Sequence, residues 1–139
     1  MNARTDRQRG SWRLIDRTSG RVVVARLVLA ESFVARLLGW QFRRSLPSGE
    51  GLLLVPCRSI HTCFMRAAVD VVFLGEGGRV LAVRRDLGPW RAAVGPRETL
   101  GVLEMPAGEA ACHDRNALRL SVALGEPDTP TPKSVAFLL

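Results

Sequence analysis

This sequence predicts a small domain of the α+β class, mostly antiparallel β, with a curved or barrel-like sheet and one short helix. Three observations carry that expectation. Six to eight short segments are apolar or β-branched and bounded by turn residues. The links between most of them are short and rich in glycine and proline, so hairpins dominate. Only one segment has the three-and-four spacing of an amphipathic helix, and no strand–helix–strand rhythm supports a doubly wound parallel sheet.

Taken in order, residues 11–16 form a short strand, and Thr18-Ser19-Gly20 is a turn signal. Residues 21–28 follow as a strand rich in valine. The period then changes: Phe33, Leu37 and Trp40 recur at spacings of four and three, Ser32 can cap, and Gly39 offers a stop. A helix is expected over 32–39, with its apolar residues against a sheet. Leu46-Pro47-Ser48-Gly49 is a loop, and 51–55 is a fully apolar strand ended by Pro56. Residues 59–64 and 69–74 are further strands. Gly75-Glu76-Gly77-Gly78 is a tight turn, because glycine accepts positive φ. Residues 79–83 return antiparallel, 88–98 read as a loop, 99–105 run to Pro106, and 118–124 form the last strand.

The chain has 139 residues, which suits one domain. The expected division is a mobile basic arm over 1–10, a single β-rich domain over 11–125, and a polar, proline-containing tail over 126–139, whose last residues pack loosely or not at all. Charge is placed unevenly. Residues 1–44 hold ten Arg against Asp6, Asp16 and Glu31, a net of +7, whereas the remainder is neutral. A basic third of this kind attracts anionic surfaces, and Arg13, Arg17, Arg21 and Arg26 would have to form a stripe for it to matter. Nucleic acid is not the favoured partner. Trp12, Trp40 and Trp90 are scattered and there is no Tyr, so a base-stacking platform is poorly supported. Three cysteines do not make a disulfide framework. No apolar run approaches the length of a membrane span, and none follows the basic start as in a signal peptide. The expectation is a soluble, cytoplasmic monomer or weak homodimer.

One polar cluster stands out. His61 and Asp70 flank a short connection, and a carboxylate beside an imidazole can orient it for acid–base work. Glu104 is a second carboxylate, close to the end of a strand. Thr62 adds a hydroxyl and Cys63 a thiol, which strand alternation would bring to the His61 face. Arg36, Arg66 and His61 could form an anion pocket, since the guanidinium fork suits carboxylate and phosphate. Alternatively His61, Arg66 and Asp70 form a hydrogen-bonded network that only pins the connection. Cys57, His61 and Cys63 lack the spacing of a zinc site. No metal and no cofactor is implied, and nucleophile elbows and phosphate loops are absent.

Three segments together carry a resemblance. They are Arg36-Leu37-Leu38-Gly39-Trp40-Gln41-Phe42-Arg43; Gly51-Leu52-Leu53-Leu54-Val55-Pro56-Cys57 continuing through His61-Thr62-Cys63-Phe64-Met65-Arg66 to Val69-Asp70-Val71-Val72-Phe73-Leu74; and Leu103-Glu104-Met105-Pro106-Ala107-Gly108. Over residues 21–124 the chain resembles the prokaryotic family known as domain of unknown function 192. The resemblance implies a compact barrel-like β domain with a short helix and no established activity. It marks Arg36, Gly39, Arg43, Gly51, His61, Thr62, Met65, Arg66, Asp70, Glu104, Pro106 and Gly108. Arg115-Asn116 stands near where that family carries a Gly-Asp pair, and a pocket rim shaped by that pair would be altered here.

The leading expectation is a non-catalytic binding or accessory domain. It would recognise a small anionic molecule or a protein partner through Arg36, His61, Thr62, Met65, Arg66, Asp70 and Glu104. The alternatives are an enzyme, most plausibly hydrolytic, using His61 with Asp70 or Glu104, and association with nucleic acid or an anionic surface through the basic N-terminal third.

Overall fold

The computed structural model describes residues 12–31, 47–110, 118–122 (as backbone) and 130–139. The expected helix at 32–39, the basic arm at 1–10 and Arg115-Asn116 lie outside the described residues. Nine strands are described: β1 (Trp12–Asp16), β2 (Val22–Ala30), β3 (Glu50–Leu54), β4 (Ser59–His61), β5 (Val69–Leu74), β6 (Val80–Leu87), β7 (Ala92–Val94), β8 (Gly101–Pro106) and β9 (Leu118–Val122). Seven form one sheet in the order β6-β5-β8-β3-β2-β1-β9, open and curved, and β4 and β7 form a separate two-stranded ribbon. The β-rich, mostly antiparallel class read from the sequence is the class observed.

The turns follow the local chemistry. Asp16 accepts the amides of Thr18 and Ser19 at 2.8 and 3.2 Å, which bends β1 into β2. Gly77 and Gly78 take φ of 69° and 74° between β5 and β6, as glycine-rich turns allow. One sheet pair is parallel, β2 with β3. Parallel neighbours cannot be joined by a tight hairpin.

The sheet carries apolar clusters on both faces. One gathers Trp12, Leu14, Val24, Leu27, Leu53, Val72, Leu74, Leu103 and Met105. The other gathers Leu52, Leu54, Val69, Val71, Phe73 and Val102, and the ribbon covers it with Ile60, Ala93 and Met65. The central strands β3, β5 and β8 are therefore buried on both sides. That is why they read as continuous apolar runs rather than as alternation.

Two local expectations are corrected. Residues 88–98 are not loop throughout: 92–94 form β7, paired with β4. Nor are the last residues loose. Lys133–Leu138 form a 3-10 turn that buries Val135 and Leu138 in the first cluster, with Phe137 packed against it. Arg17 Nη2 holds the end in place through the Leu139 carbonyl at 3.1 Å. The polar composition of 126–132 hid an apolar 3.0-period pattern in the seven residues that follow.

Candidate functional site

The ribbon decides where the predicted cluster goes. In β4 and β7 only the middle residues, Ile60 and Ala93, are buried. Ser59, His61, Ala92 and Val94 alternate to the opposite, exposed face. His61 therefore points away from the sheet, opposite Ala92. β4 stops at His61, so Cys63 sits in the following turn and the alternation that would bring its thiol to the histidine does not reach it. Neither Cys57 nor Cys63 is in a disulfide, and the Cys57 thiol donates to the Ser59 carbonyl at 3.0 Å. Among the described residues, no three His, Cys, Asp or Glu side chains gather to hold a metal.

Asp70 is fully buried and its carboxylate is given over to backbone. Oδ1 accepts the amide of Asp86 at 2.8 Å; Oδ2 accepts those of Gly108 and Ala110 at 2.9 and 3.0 Å. It thereby ties the end of β6 to the Pro106-Ala107-Gly108 turn, where Gly108 has φ of 91°. Thr62 is pinned likewise. Its hydroxyl donates to the Gly88 carbonyl at 2.6 Å and accepts the Arg91 amide at 2.8 Å. Thr62 thus holds the turns that flank the ribbon in place.

Glu104 lies elsewhere again. It pairs across the sheet with Val71 on one side and Leu52 on the other, so it shares their face. Asp70 pairs with Met105 and faces the other way. The two carboxylates are thus on opposite faces of one sheet, and His61 is on the outer side of the ribbon that covers the Glu104 face. No hydrogen bond among the described residues joins any two of the three. Glu104 is 3% exposed, and its Oε2 has no hydrogen-bond partner. Burial among apolar neighbours pushes its carboxyl up from 4.5 to about 7. Met65 is part of the apolar layer above it. Arg36 lies outside the described residues, and Arg66 is exposed.

The sequence reading passed over what the ribbon end does bring together. Phe64 and Trp90 stack edge to face, with centroids 4.8 Å apart and planes at 62°. They are 51% and 64% exposed, and each has a left-handed backbone, φ 65° and 60°. Bulky residues rarely adopt that region, and each instance costs about 1–2 kcal/mol. The Trp90 and Met65 amides both donate to the Thr62 carbonyl at 3.1 Å, which fixes the two turns side by side. The available signal was Gly88-Pro89 before Trp90, a turn that throws the following side chain outward. Two exposed arginines stand next to the pair in the chain: Arg66 lies two residues beyond Phe64, and Arg91 directly follows Trp90.

The basic stripe proposed for the first strands is interrupted. Arg13 is half-buried with Nε unpartnered, and Arg17 is engaged with the C-terminal carbonyl; only Arg21 and Arg26 are exposed without such a role.

Comparison with known proteins agrees with this architecture. The family model for DUF192, described as uncharacterized ACR, matches residues 14–117. The chain belongs to this family. A UPF0127 protein of Pyrococcus furiosus is 31% identical over 100 residues, covering 68% of this chain and 84% of its own. A UPF0127 protein of Pyrococcus horikoshii is 34% identical over 83 residues, covering 58% and 71%. A crystal structure of a protein of unknown function from Novosphingobium aromaticivorans superposes with a TM-score of 0.67 at 22% identity, covering 81% of this chain and 84% of that one. A second, from Sinorhizobium meliloti, gives the same TM-score and identity over 82% and 93%. These two share the fold. Within the DUF192 chain described here, no helix among the described residues is long and apolar enough to cross a membrane.

Proposed function

We propose that this DUF192 protein is a non-catalytic binding domain, working in the cytoplasm, that recognises an anionic partner through the outer side of its β4–β7 ribbon. The observation that carries the reading is how the polar residues are used. Asp70 and Thr62 have their polar atoms committed to backbone groups. Glu104 is on the far side of the ribbon from His61. Neither Asp70 nor Glu104 orients His61, and a hydrolytic pair of His61 with either has no geometric support. What the ribbon offers to solvent is His61, Arg66 and Arg91, groups that donate to anions.

The test is ligand-linked melting of the full chain. Pyrophosphate and citrate are expected to raise the melting temperature at low salt, and Arg66→Ala with Arg91→Ala to abolish the rise. No shift with either anion would overturn the reading. So would a hydrolytic turnover that His61→Ala removes.

A further inference from the structure

We propose that the Phe64–Trp90 pair is the apolar anchor of a docking site for an acidic segment of a partner protein, one in which an apolar residue is flanked by carboxylates. The inference deepens the anion-binding reading and rests on it.

Two observations point to a ligand. The first is the cost of the present arrangement. Two large aromatic side chains are more than half exposed, and each rests on a left-handed backbone that only glycine or asparagine adopts readily. Neither belongs to either buried cluster. Strain kept at an exposed position is characteristic of clamps and recognition sites. Thr62 maintains it by binding both turns, through its carbonyl and its hydroxyl. The second observation is charge. Two exposed arginines flank the pair in the chain, Arg66 two residues beyond Phe64 and Arg91 directly after Trp90. Complementary charge selects an acidic partner and speeds its encounter. A second copy of this chain would present the same basic end and be repelled.

The ring geometry separates a peptide from a nucleic acid. Single-strand binders stack bases on open ring faces. Here the rings meet edge to face at 62°, so one ring's edge covers the other's face. Ring edges and faces arranged this way suit contact with an aliphatic or aromatic side chain.

The experiment uses the full chain and fluorescence anisotropy with four labelled probes: an acidic peptide with a central leucine, the same peptide with serine in its place, a basic peptide, and a single-stranded oligothymidylate matched in charge. The leucine-containing acidic peptide is expected to bind best, by roughly tenfold over the serine version. Phe64→Asn and Trp90→Asn are each expected to weaken it by roughly tenfold, because asparagine accepts the backbone but supplies no ring. Both variants should melt close to the parent, which separates a lost anchor from a lost fold. Equal affinity for the leucine and serine peptides overturns the anchor. Tighter binding of the oligothymidylate overturns the choice of partner. If no peptide binds but pyrophosphate still stabilises the parent and not the arginine variants, the docking inference fails and the anion-binding reading stands. If neither binds, both fail.

Discussion

Replacing Asp70 by asparagine changes one oxygen to an NH2 group and removes the charge, with almost no change in shape. In the native protein the two carboxylate oxygens accept three backbone amides at 2.8–3.0 Å in a fully buried site. Hydrogen bonds to charged groups contribute about 1.5–3 kcal/mol each. Asparagine can keep its carbonyl toward Gly108 and Ala110, but its NH2 then faces the Asp86 amide, donor against donor. One charged bond is lost and the other two become neutral, a cost of about 3–5 kcal/mol. Asp70→Ala strands all three amides and is expected to cost roughly 3–9 kcal/mol, since each buried unsatisfied group costs about 1–3. Against a total stability of about 5–15 kcal/mol, either loss is large. Urea unfolding followed by circular dichroism measures it, and amide exchange should show faster opening at residues 86, 108 and 110. His61→Ala, on the exposed ribbon face, should stay within about 0.5 kcal/mol of the parent. If Asp70→Asn is as stable as the parent, or His61→Ala loses as much as Asp70→Asn, the carboxylate is not the clasp described above and the assignment of roles is wrong.

Other expectations follow from the same packing. Glu104 is protonated in the folded state up to about pH 7 but ionises near 4.5 when unfolded. The unfolded state therefore holds fewer protons between those values, and stability falls as pH rises through that window, by up to about 3 kcal/mol. Urea unfolding at pH 5 and pH 8 should show this, and Glu104→Gln should flatten the slope. Gly95→Ala would drive a Cβ into the Phe73 ring and to 2.6 Å from Thr99 Oγ1, and overpacking of that kind costs about 1–3 kcal/mol, read as a lower urea midpoint. Leu138→Asp would bury an unpaired carboxylate in the first cluster; loss of cooperative unfolding or a drop of several kcal/mol is expected, whereas Leu139→Asp at the exposed end should be near neutral. Phe64→Asn and Trp90→Asn exchange about 1–2 kcal/mol of backbone strain against an aromatic pair of about 0.5–1.5, so each should lie within about 1 kcal/mol of the parent.

Much of the fold could be read in advance because local chemistry and tertiary structure agree. The apolar run 51–55, the valine-rich 69–74 and the glycine turn between 74 and 80 became β3, β5 and the turn before β6, nearly at the expected bounds. β7 was hidden because three residues, of which only Ala93 is buried, carry too little pattern to show among Gly88, Pro89 and Pro96. The C-terminal turn was hidden by its polar approach, although Val135 and Leu138 lie three apart.

The candidate site was legible as a list of residues and misleading as a constellation. Residue identity and spacing determined that His61, Thr62, Asp70 and Glu104 were worth attention, that the domain would be β-rich, and that 45–139 carry balanced charge. Register decided the rest. Strand side chains alternate with a period of two, so pairing Val71 rather than Asp70 with Glu104 sends the two carboxylates to opposite faces. The same rule, applied to a three-residue ribbon, turns His61 outward. Which residues face one another depends on contacts between segments far apart in the chain, and no local property of either segment encodes that choice.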